Sequence, residues 1–151
     1  MKFEASIDIN VPVDTAVALF NDPSRYKDWQ SGFVSYETIS GKPRTAGAVS
    51  IVKYINGRHK IELTETIRVM NPPAEITGLY EHKHGSNTMI NIFTALPGNA
   101  TRYTTGVGDM KTKGFLPGLM AFLMPGMMKK RNQEWLEHFK AFAEKAYQNK
   151  V

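Results

Sequence analysis

An amphipathic stretch near the C-terminal end sets the strongest limit on the fold of this sequence. From Met128 onward the sequence reads MKKRNQEWLEHFKAFAEKAYQN. After Met128, apolar residues recur within it at the spacing of one helix face, at Trp135, Phe139, Phe142 and Ala146. A helix over this stretch is about 33 Å long, because each residue adds about 1.5 Å. Almost everything before it has strand character. The helix is therefore the only predicted element able to cover the apolar face of a sheet.

Seven strand patterns precede this helix. In residues 2–9, KFEASIDI, polar and apolar side chains alternate, which is typical of a half-buried strand. Two short helices are predicted next, the first capped by Asp14 and the second beginning at Asp22-Pro23, since proline is tolerated at the first helical position. The remaining six strands follow one another as hairpins, which predicts an antiparallel sheet. Those strands are predicted at 33–40, 48–55, 58–70, 76–84, 88–96 and 100–110.

Turn-forming residues between these strands predict three hairpin loops. Each loop sets a register, because side chains alternate between the two faces of a sheet. The predicted loops are Asn56-Gly57, Ser86-Asn87 and 97–99, and the predicted opposite pairs are Val52 with Ile61, His82 with Asn91, and Phe93 with Tyr103.

The same alternation assigns one face of the sheet to the interior. Charged side chains such as Lys60, Glu62 and Arg68 fall on the opposite face and belong in water. The inner face is therefore expected to be mainly aromatic and aliphatic. The residues predicted on it are Tyr54, His59, Ile61, Leu63, Glu65, Tyr80, His82, Phe93 and Tyr103.

A polar row is predicted across this interior, formed by Glu65, His82, Asn91 and Thr105. A glutamate and a histidine in an apolar pocket are groups whose pKa values shift, so Glu65 and His82 are the candidate catalytic acid and base. Two alternatives stay open. The row is an internal hydrogen-bond network without a chemical role, or a bulge turns Glu65 outward.

Three features of the chain resemble the START/polyketide cyclase-like superfamily, of the polyketide cyclase/dehydrase and lipid transport type. They are the opening SIDINVPVDTAVALFNDPSRYKDWQSG, the NPP turn and the closing amphipathic helix. The resemblance implies an α+β helix-grip fold: a curved seven-stranded antiparallel sheet wrapped around a long C-terminal helix, with two short helices between strands 1 and 2. It also implies that residues 1–151 form a single START-like ligand-binding domain with a deep cavity between sheet and helix.

Residues 111–131, KTKGFLPGLMAFLMPGMMKKR, are unusual for their uncharged centre and basic flanks. Residues 114–128 carry no charge, but a membrane-spanning helix needs about twenty apolar residues. The segment is therefore interpreted as a lid over the cavity, a contact with an anionic membrane, a dimer interface or ordinary core. Its methionines suit adaptable apolar contacts, so Met120 and Met124 are candidate ligand contacts.

Composition narrows the function classes. The formal net charge is +5, and the five basic residues of the 111–131 segment, with no acidic residue beside them, account for it. This location favours an anionic partner such as a lipid headgroup or an acidic ligand. No nucleic-acid motif is present, so no nucleic-acid partner is expected. The chain has no cysteine, and no metal or other cofactor is expected. A cytoplasmic location is expected.

Two functions are consistent with these patterns. The first is binding or transport of a hydrophobic small molecule or lipid, acidic or neutral, in the internal cavity, with transient contact of residues 111–131 with an anionic membrane. The second is a polyketide cyclase or dehydratase-like enzyme that uses the same cavity. The candidate ligand-binding residues are Trp29, Tyr54, Tyr80, His82, Asn91, Phe93, Tyr103, Met120, Met124 and Trp135.

Overall fold

One antiparallel sheet and one long helix make up most of the molecule. The computed structural model describes residues 1–112 and 125–149. The elements are β1 (Lys2–Ile9), α1 (Val13–Phe20), a 3₁₀ helix (Pro23–Asp28), β2 (Phe33–Ser40), β3 (Val49–Asn56), β4 (His59–Asn71), β5 (Glu75–His82), β6 (Gly85–Leu96), β7 (Ala100–Thr112) and α2 (Pro125–Gln148). The seven strands form a curved sheet in the order β1-β7-β6-β5-β4-β3-β2, which confirms the predicted α+β helix-grip architecture.

The long helix α2 is anchored to the first strand. Its Asn132 side chain donates to the carbonyl of Phe3 at 2.8 Å, and Lys140 Nζ donates to the carbonyl of Asp8 at 2.6 Å. Because β1 is the edge strand beside β7, these bonds tie the helix to that edge of the sheet. Asn132 is buried, a polar position within the predicted apolar face.

Aromatic side chains fill the space under the C-terminal half of α2. Phe139 is fully buried, and its ring lies 6.0 Å from that of Phe20, 4.9 Å from that of Trp29 and 5.4 Å from that of Tyr103. Rings at these distances in edge-to-face arrangement gain stability beyond the area they bury. The apolar spacing read from the sequence therefore identified the packed half of the helix correctly.

Two of the three predicted registers differ from the structure. Asn56 pairs with His59, so the β3–β4 loop is Gly57-Arg58 and Tyr54 lies opposite Ile61. Gly57 has φ of +62°, which suits a turn whose first central residue is glycine. The shift is two residues, and side chains keep their faces when a register moves by an even number.

The β5–β6 loop also lies three residues earlier than predicted, at Lys83-His84. His82 pairs with Gly85, which leaves a two-residue loop, and the predicted pairing of His82 with Asn91 is wrong. The Gly-Ser-Asn segment belongs to β6, and a side chain at position 85 would meet the carbonyl oxygen of Lys111 at 2.3 Å. Only glycine permits this close approach.

The β6–β7 register is confirmed. Phe93 lies opposite Tyr103 and Asn91 lies opposite Thr105, as the three-residue loop at 97–99 predicts.

The first short helix begins earlier than the sequence suggested. Pro12 occupies the capping position of α1, and Asp14 lies in the first turn, so the prediction of an Asp14 cap is wrong. At the 3₁₀ helix the prediction is confirmed, since Asp22 accepts bonds from the backbone and hydroxyl of Ser24 at 3.1 and 2.6 Å. Among the described residues, no helix is long and apolar enough to cross a membrane.

Candidate functional site

A cavity of about 640 Å³ lies between the sheet and the N-terminal half of α2. Its walls combine apolar side chains from β3, β4 and β6 with a smaller number of polar groups. Five of the ten predicted ligand-binding residues line it, namely Trp29, Tyr54, Tyr80, Asn91 and Trp135. These two tryptophans are the only ones in the chain, so both indole rings border the same space.

The other predicted ligand-binding residues are placed differently. The rings of Phe93 and Tyr103 stack in the core with centroids 4.5 Å apart, behind the cavity wall. His82 lies at the β5–β6 hairpin and is not among the lining residues. Met120 and Met124 lie outside the described residues.

A second cleft, of about 690 Å³, lies between the 3₁₀ helix and the C-terminal half of α2. It shares Trp29, Gln30, Ser31 and His138 with the interior cavity. Its other walls include the exposed side chain of Lys145 and contain none of the buried polar groups described below. We therefore take the interior cavity as the candidate site.

The polar centre of the cavity is Glu65, on β4. Its side chain is almost fully buried, with 3% exposure. Oε1 accepts hydrogen bonds from the Tyr36 hydroxyl at 2.6 Å and from Arg44 Nη1 at 3.2 Å, and Oε2 accepts one from the Tyr80 hydroxyl at 2.8 Å. A carboxylate can be buried at tolerable cost only with such partners, because its water shell is lost.

Arg44 reaches this carboxylate from the loop between β2 and β3. Its backbone has φ of +61°, a conformation that residues with a side chain adopt rarely and at a cost in energy. The guanidinium also donates from Nη2 to the Asn21 side chain at 2.9 Å and lies 5.9 Å from the centre of the Phe20 ring. The loop is thus held by contacts of its arginine side chain inside the protein.

The sequence analysis missed Arg44, although a signal for it exists. A glutamate predicted on the inner face of a sheet needs a cation nearby. The GKPRTAG loop carries one arginine between two glycines and joins β2 to β3, the strand next to β4. Tyr36 was missed as well, and its place on the inner face of β2 follows from its pairing with Val52.

The position of Tyr80 depends on the residue two places before it. A side chain at Gly78 would meet the Tyr80 ring at 3.0 Å. The ring therefore lies over the bare backbone of Gly78 on β5, and its hydroxyl reaches the carboxylate on the neighbouring strand. Glycine in a strand often marks such a close approach.

A second polar group of the cavity centres on Asn91. Its Oδ1 accepts hydrogen bonds from the Tyr103 hydroxyl at 2.7 Å and from the Thr105 hydroxyl at 2.9 Å. Its Nδ2 donates to the carbonyl of Ile76 at 3.3 Å. The Trp135 indole nitrogen in turn donates to the Tyr103 oxygen at 3.0 Å. Tyr103 therefore positions two cavity-lining side chains, although it lies behind the wall itself.

The predicted contact between Glu65 and His82 does not occur. Glu65 lies opposite Tyr80 across β4 and β5, and His82 is two residues further along. His82 Nδ1 instead accepts a bond from the backbone N–H of His84 at 2.8 Å. Partial burial, with contributions from His84 and Lys83, lowers the pKa of His82. Of the predicted polar row, Asn91 and Thr105 are joined, whereas Glu65 belongs to the tyrosine–arginine cluster.

The tyrosines around the cavity are held in their neutral form. Burial, followed by the negative charge of Glu65, raises the pKa of Tyr80 well above its ordinary value, and the same causes raise the pKa of Tyr36 and Tyr54. Burial also raises the pKa of Tyr26 and Tyr103. These phenols can donate and accept hydrogen bonds, but they do not release a proton near neutral pH.

Comparison with known proteins places these features in a family. A family model described as "Polyketide cyclase / dehydrase and lipid transport" matches residues 1–144. Among curated proteins, none matches the sequence at a significant level.

Solved structures share the fold at low sequence identity. The Zhui aromatase/cyclase from Streptomyces sp. R1128 has a TM-score of 0.75 at 13% identity, covering 93% of this chain and 92% of its own. A conserved protein from Geobacillus kaustophilus also has 0.75, at 16% identity over 95% of both chains. A START superfamily protein from Mycobacterium smegmatis has 0.69 at 14% identity, covering 98% of this chain and 97% of its own. Identities this low establish the fold alone.

The raised tyrosine pKa values predict a loss of stability at alkaline pH. Five of the six tyrosines should keep their protons in the folded protein as the pH passes about 10, where tyrosines of an unfolded chain ionise. Their contribution is therefore fully present below about pH 10 and is lost as the pH rises above it. Phenolate absorbance, followed alongside circular dichroism, should show these tyrosines ionising only as the protein unfolds. Ionisation of all tyrosines near pH 10 with the fold intact would contradict this assignment.

The buried ion pair predicts an asymmetric response to substitution. Arg44→Met leaves the Glu65 carboxylate buried without its cation, and we expect the free energy of unfolding to fall by about 3–5 kcal/mol. Arg44→Met combined with Glu65→Leu should be less destabilised than the Arg44→Met single variant, because no unpaired charge remains. Urea denaturation measures both.

The matched control is Arg102→Met. Arg102 pairs with Asp8 at 2.8 Å, but about half of each side chain is exposed, against 9% for Arg44. Exposed pairs contribute little. Equal costs for Arg44→Met and Arg102→Met would show that the Arg44–Glu65 pair has no special structural role.

Proposed function

The chain belongs to the polyketide cyclase / dehydrase and lipid transport family, and we propose that residues 1–151 act as one domain that binds or transports a hydrophobic small molecule or lipid in the interior cavity. One observation carries the proposal. The space of about 640 Å³ is walled mainly by apolar and aromatic side chains and contains a few convergent polar groups, and ligand sites have this size and composition. The ligand would lie against Tyr54, Tyr80 and Trp135, with its polar end toward Asn91 or the Glu65 cluster.

The contacts of Glu65 favour binding over acid–base catalysis. A general base needs a free lone pair close to the proton that it removes. Glu65 already accepts three hydrogen bonds, one of them from Arg44, so most of its lone pairs are occupied. His82, the other candidate catalytic residue, does not border the cavity. These contacts support a role for Glu65 in orienting the tyrosines that would meet a ligand.

A cyclase or dehydratase-like activity is the second candidate. The neutral hydroxyls of Tyr36 and Tyr80 and the amide of Asn91 border one cavity. Such groups could hold a flexible substrate in one folded conformation, and catalysis would then come mainly from orientation. Turnover of a linear polyketide, lost in a variant with a blocked cavity, is the observation that would favour this function over binding alone.

Contact with an anionic membrane through residues 111–131 is a further part of the proposal. Lys111 and, on the first turns of α2, Lys129 and Lys130 are exposed, and the residues from 114 to 128 carry no charge. Basic side chains beside an apolar segment favour binding to anionic lipid surfaces. The cytoplasmic location expected from the sequence remains a prediction, which cell fractionation would test.

Binding in the cavity is tested with the uncharged dye Nile red, whose fluorescence rises in apolar surroundings. The wild-type protein should bind it. Leu63→Trp places a larger side chain in the cavity wall and should weaken binding roughly fivefold or more, because a filled space must be reopened at a cost. Val34→Trp is the matched control, since Val34 is half exposed. Absence of dye binding to the wild type, or equal weakening by both substitutions, would contradict the proposed site.

Membrane contact is tested by sedimentation with vesicles that contain phosphatidylserine. Lys129→Gln with Lys130→Gln should weaken binding roughly thirtyfold, because each basic residue near an anionic surface contributes about 1 kcal/mol. Lys42→Gln with Lys60→Gln removes the same charge from other exposed positions. Binding that is insensitive to salt, or lost equally in both pairs, would count against contact through residues 111–131.

A further inference from the structure

The hydroxyl protons of the cavity tyrosines are already committed to protein acceptors. Tyr36 and Tyr80 both donate to the Glu65 carboxylate, and Tyr54 donates to Gln30 Oε1 at 2.6 Å. A hydroxyl has one proton and two lone pairs. Each of these three phenol oxygens therefore has only acceptor capacity left for a ligand.

The direction of these bonds is set by the partner. A carboxylate only accepts hydrogen bonds, and Glu65 forms an ion pair with Arg44 at 3.2 Å. The two tyrosines therefore cannot turn their protons toward a ligand without leaving the buried carboxylate short of donors. Both hydroxyls bond the same carboxyl group, Tyr36 at Oε1 and Tyr80 at Oε2, so both phenol oxygens are left as acceptors.

The charge of Arg44 is already paired with that of Glu65, although Arg44 lines the cavity. Nη1 already donates to Glu65 and Nη2 to Asn21. Its Nε is buried and has no partner among the described residues. The positive charge is neutralised by a carboxylate in direct contact, so an additional anion here would lie beside Glu65 without a cation of its own.

The described charges around the whole cavity are balanced. Two arginines and two glutamates line it, together with His138; they are Arg44, Arg131, Glu65 and Glu134. In the sequence, residues 113–124 contain one charged residue, Lys113. A buried ligand of either charge would therefore add an unpaired charge to a neutral space, which proteins avoid.

We infer that the ligand is an uncharged, mainly apolar molecule with a hydroxyl group, alcohol or phenol, that donates its proton to the phenol oxygen of Tyr36 or Tyr80. This inference rests on the proposed binding function and narrows it to one ligand class, in place of the acidic ligand that the charge of the 111–131 segment favoured. A hydroxyl also accepts, so the amide nitrogens of Asn91 and Gln30 at the same cavity are compatible with it.

Four small probes of similar length test this ligand class: decan-1-ol, 1-methoxynonane, undecane and decanoate. The alcohol and the ether have the same number of heavy atoms, and only the alcohol has a proton to donate. Binding is followed by the fluorescence of Trp29 and Trp135, which both line the cavity. Decan-1-ol should bind about three- to tenfold more tightly than the ether, the difference that one hydrogen bond makes. Decanoate, measured at a pH where it is ionised, should bind most weakly.

The Tyr80 hydroxyl is then removed by Tyr80→Phe. The preference for alcohol over ether should shrink, while the affinity for undecane stays the same. Tyr147→Phe, at a half-exposed position on α2, is the matched control and should keep the preference. If Tyr80→Phe fails to fold, the probe series on the wild-type protein still decides the question.

The outcomes distinguish failure of the inferred ligand class from failure of the proposed binding function. Equal affinity for alcohol, ether and alkane would overturn the inferred ligand class and leave the binding function in place. Tightest binding of decanoate would overturn it in favour of an acidic ligand. If none of the four probes changes the tryptophan fluorescence and Nile red does not bind either, the proposed binding function itself is wrong.

Discussion

A buried carboxylate connects the parts of this protein that surround its cavity. Glu65 lies on β4, and its charge is compensated by Tyr36 from β2, Arg44 from the β2–β3 loop and Tyr80 from β5. Arg44 extends the network to Asn21 at the end of α1. In a medium of low dielectric, removing any one of these groups leaves another without a partner. The left-handed backbone at Arg44 is consistent with this, since a strained conformation persists only where the surroundings require it.

The long helix α2 has two different halves, and the cavity follows from that difference. Its C-terminal half presents Leu136, Phe139 and Ala143, which are fully buried against the sheet and the aromatic cluster. Its N-terminal half presents Met128, Asn132 and Trp135 to the cavity. Trp135 belongs to both regions, since its ring lies 4.5 Å from that of Trp29 and its nitrogen bonds the Tyr103 hydroxyl. The same packing that holds the helix against the sheet therefore positions one wall of the site.

The fold was predictable almost completely, and the site only in part. Strand positions and the sheet–helix arrangement follow from alternation and helical spacing, which depend on neighbouring residues in the sequence. Both shifted registers moved by even numbers of residues, so Tyr54, Glu65 and Tyr80 kept the inner face that was predicted for them. The predicted contact between Glu65 and His82 is wrong. Predicting it requires the position of each residue along its strand as well as the sheet face that its side chain occupies. The tight β5–β6 hairpin, made possible by Gly85, moved His82 to the end of the sheet.

By itself, the sequence determined which residues form strands and helices, which faces are apolar and that one helix must cover the sheet. These properties are local, because they arise from the periodic positions of side chains along one segment. Only the tertiary structure decided that Glu65 meets Arg44 and two tyrosines, and that Asn91 joins Tyr103 and Thr105. Such contacts join residues that are distant in the chain, and their partners depend on exact registers and on a loop conformation that no periodic pattern encodes. The direction in which each hydroxyl donates follows from these contacts, and with it the chemistry that the cavity offers to a ligand.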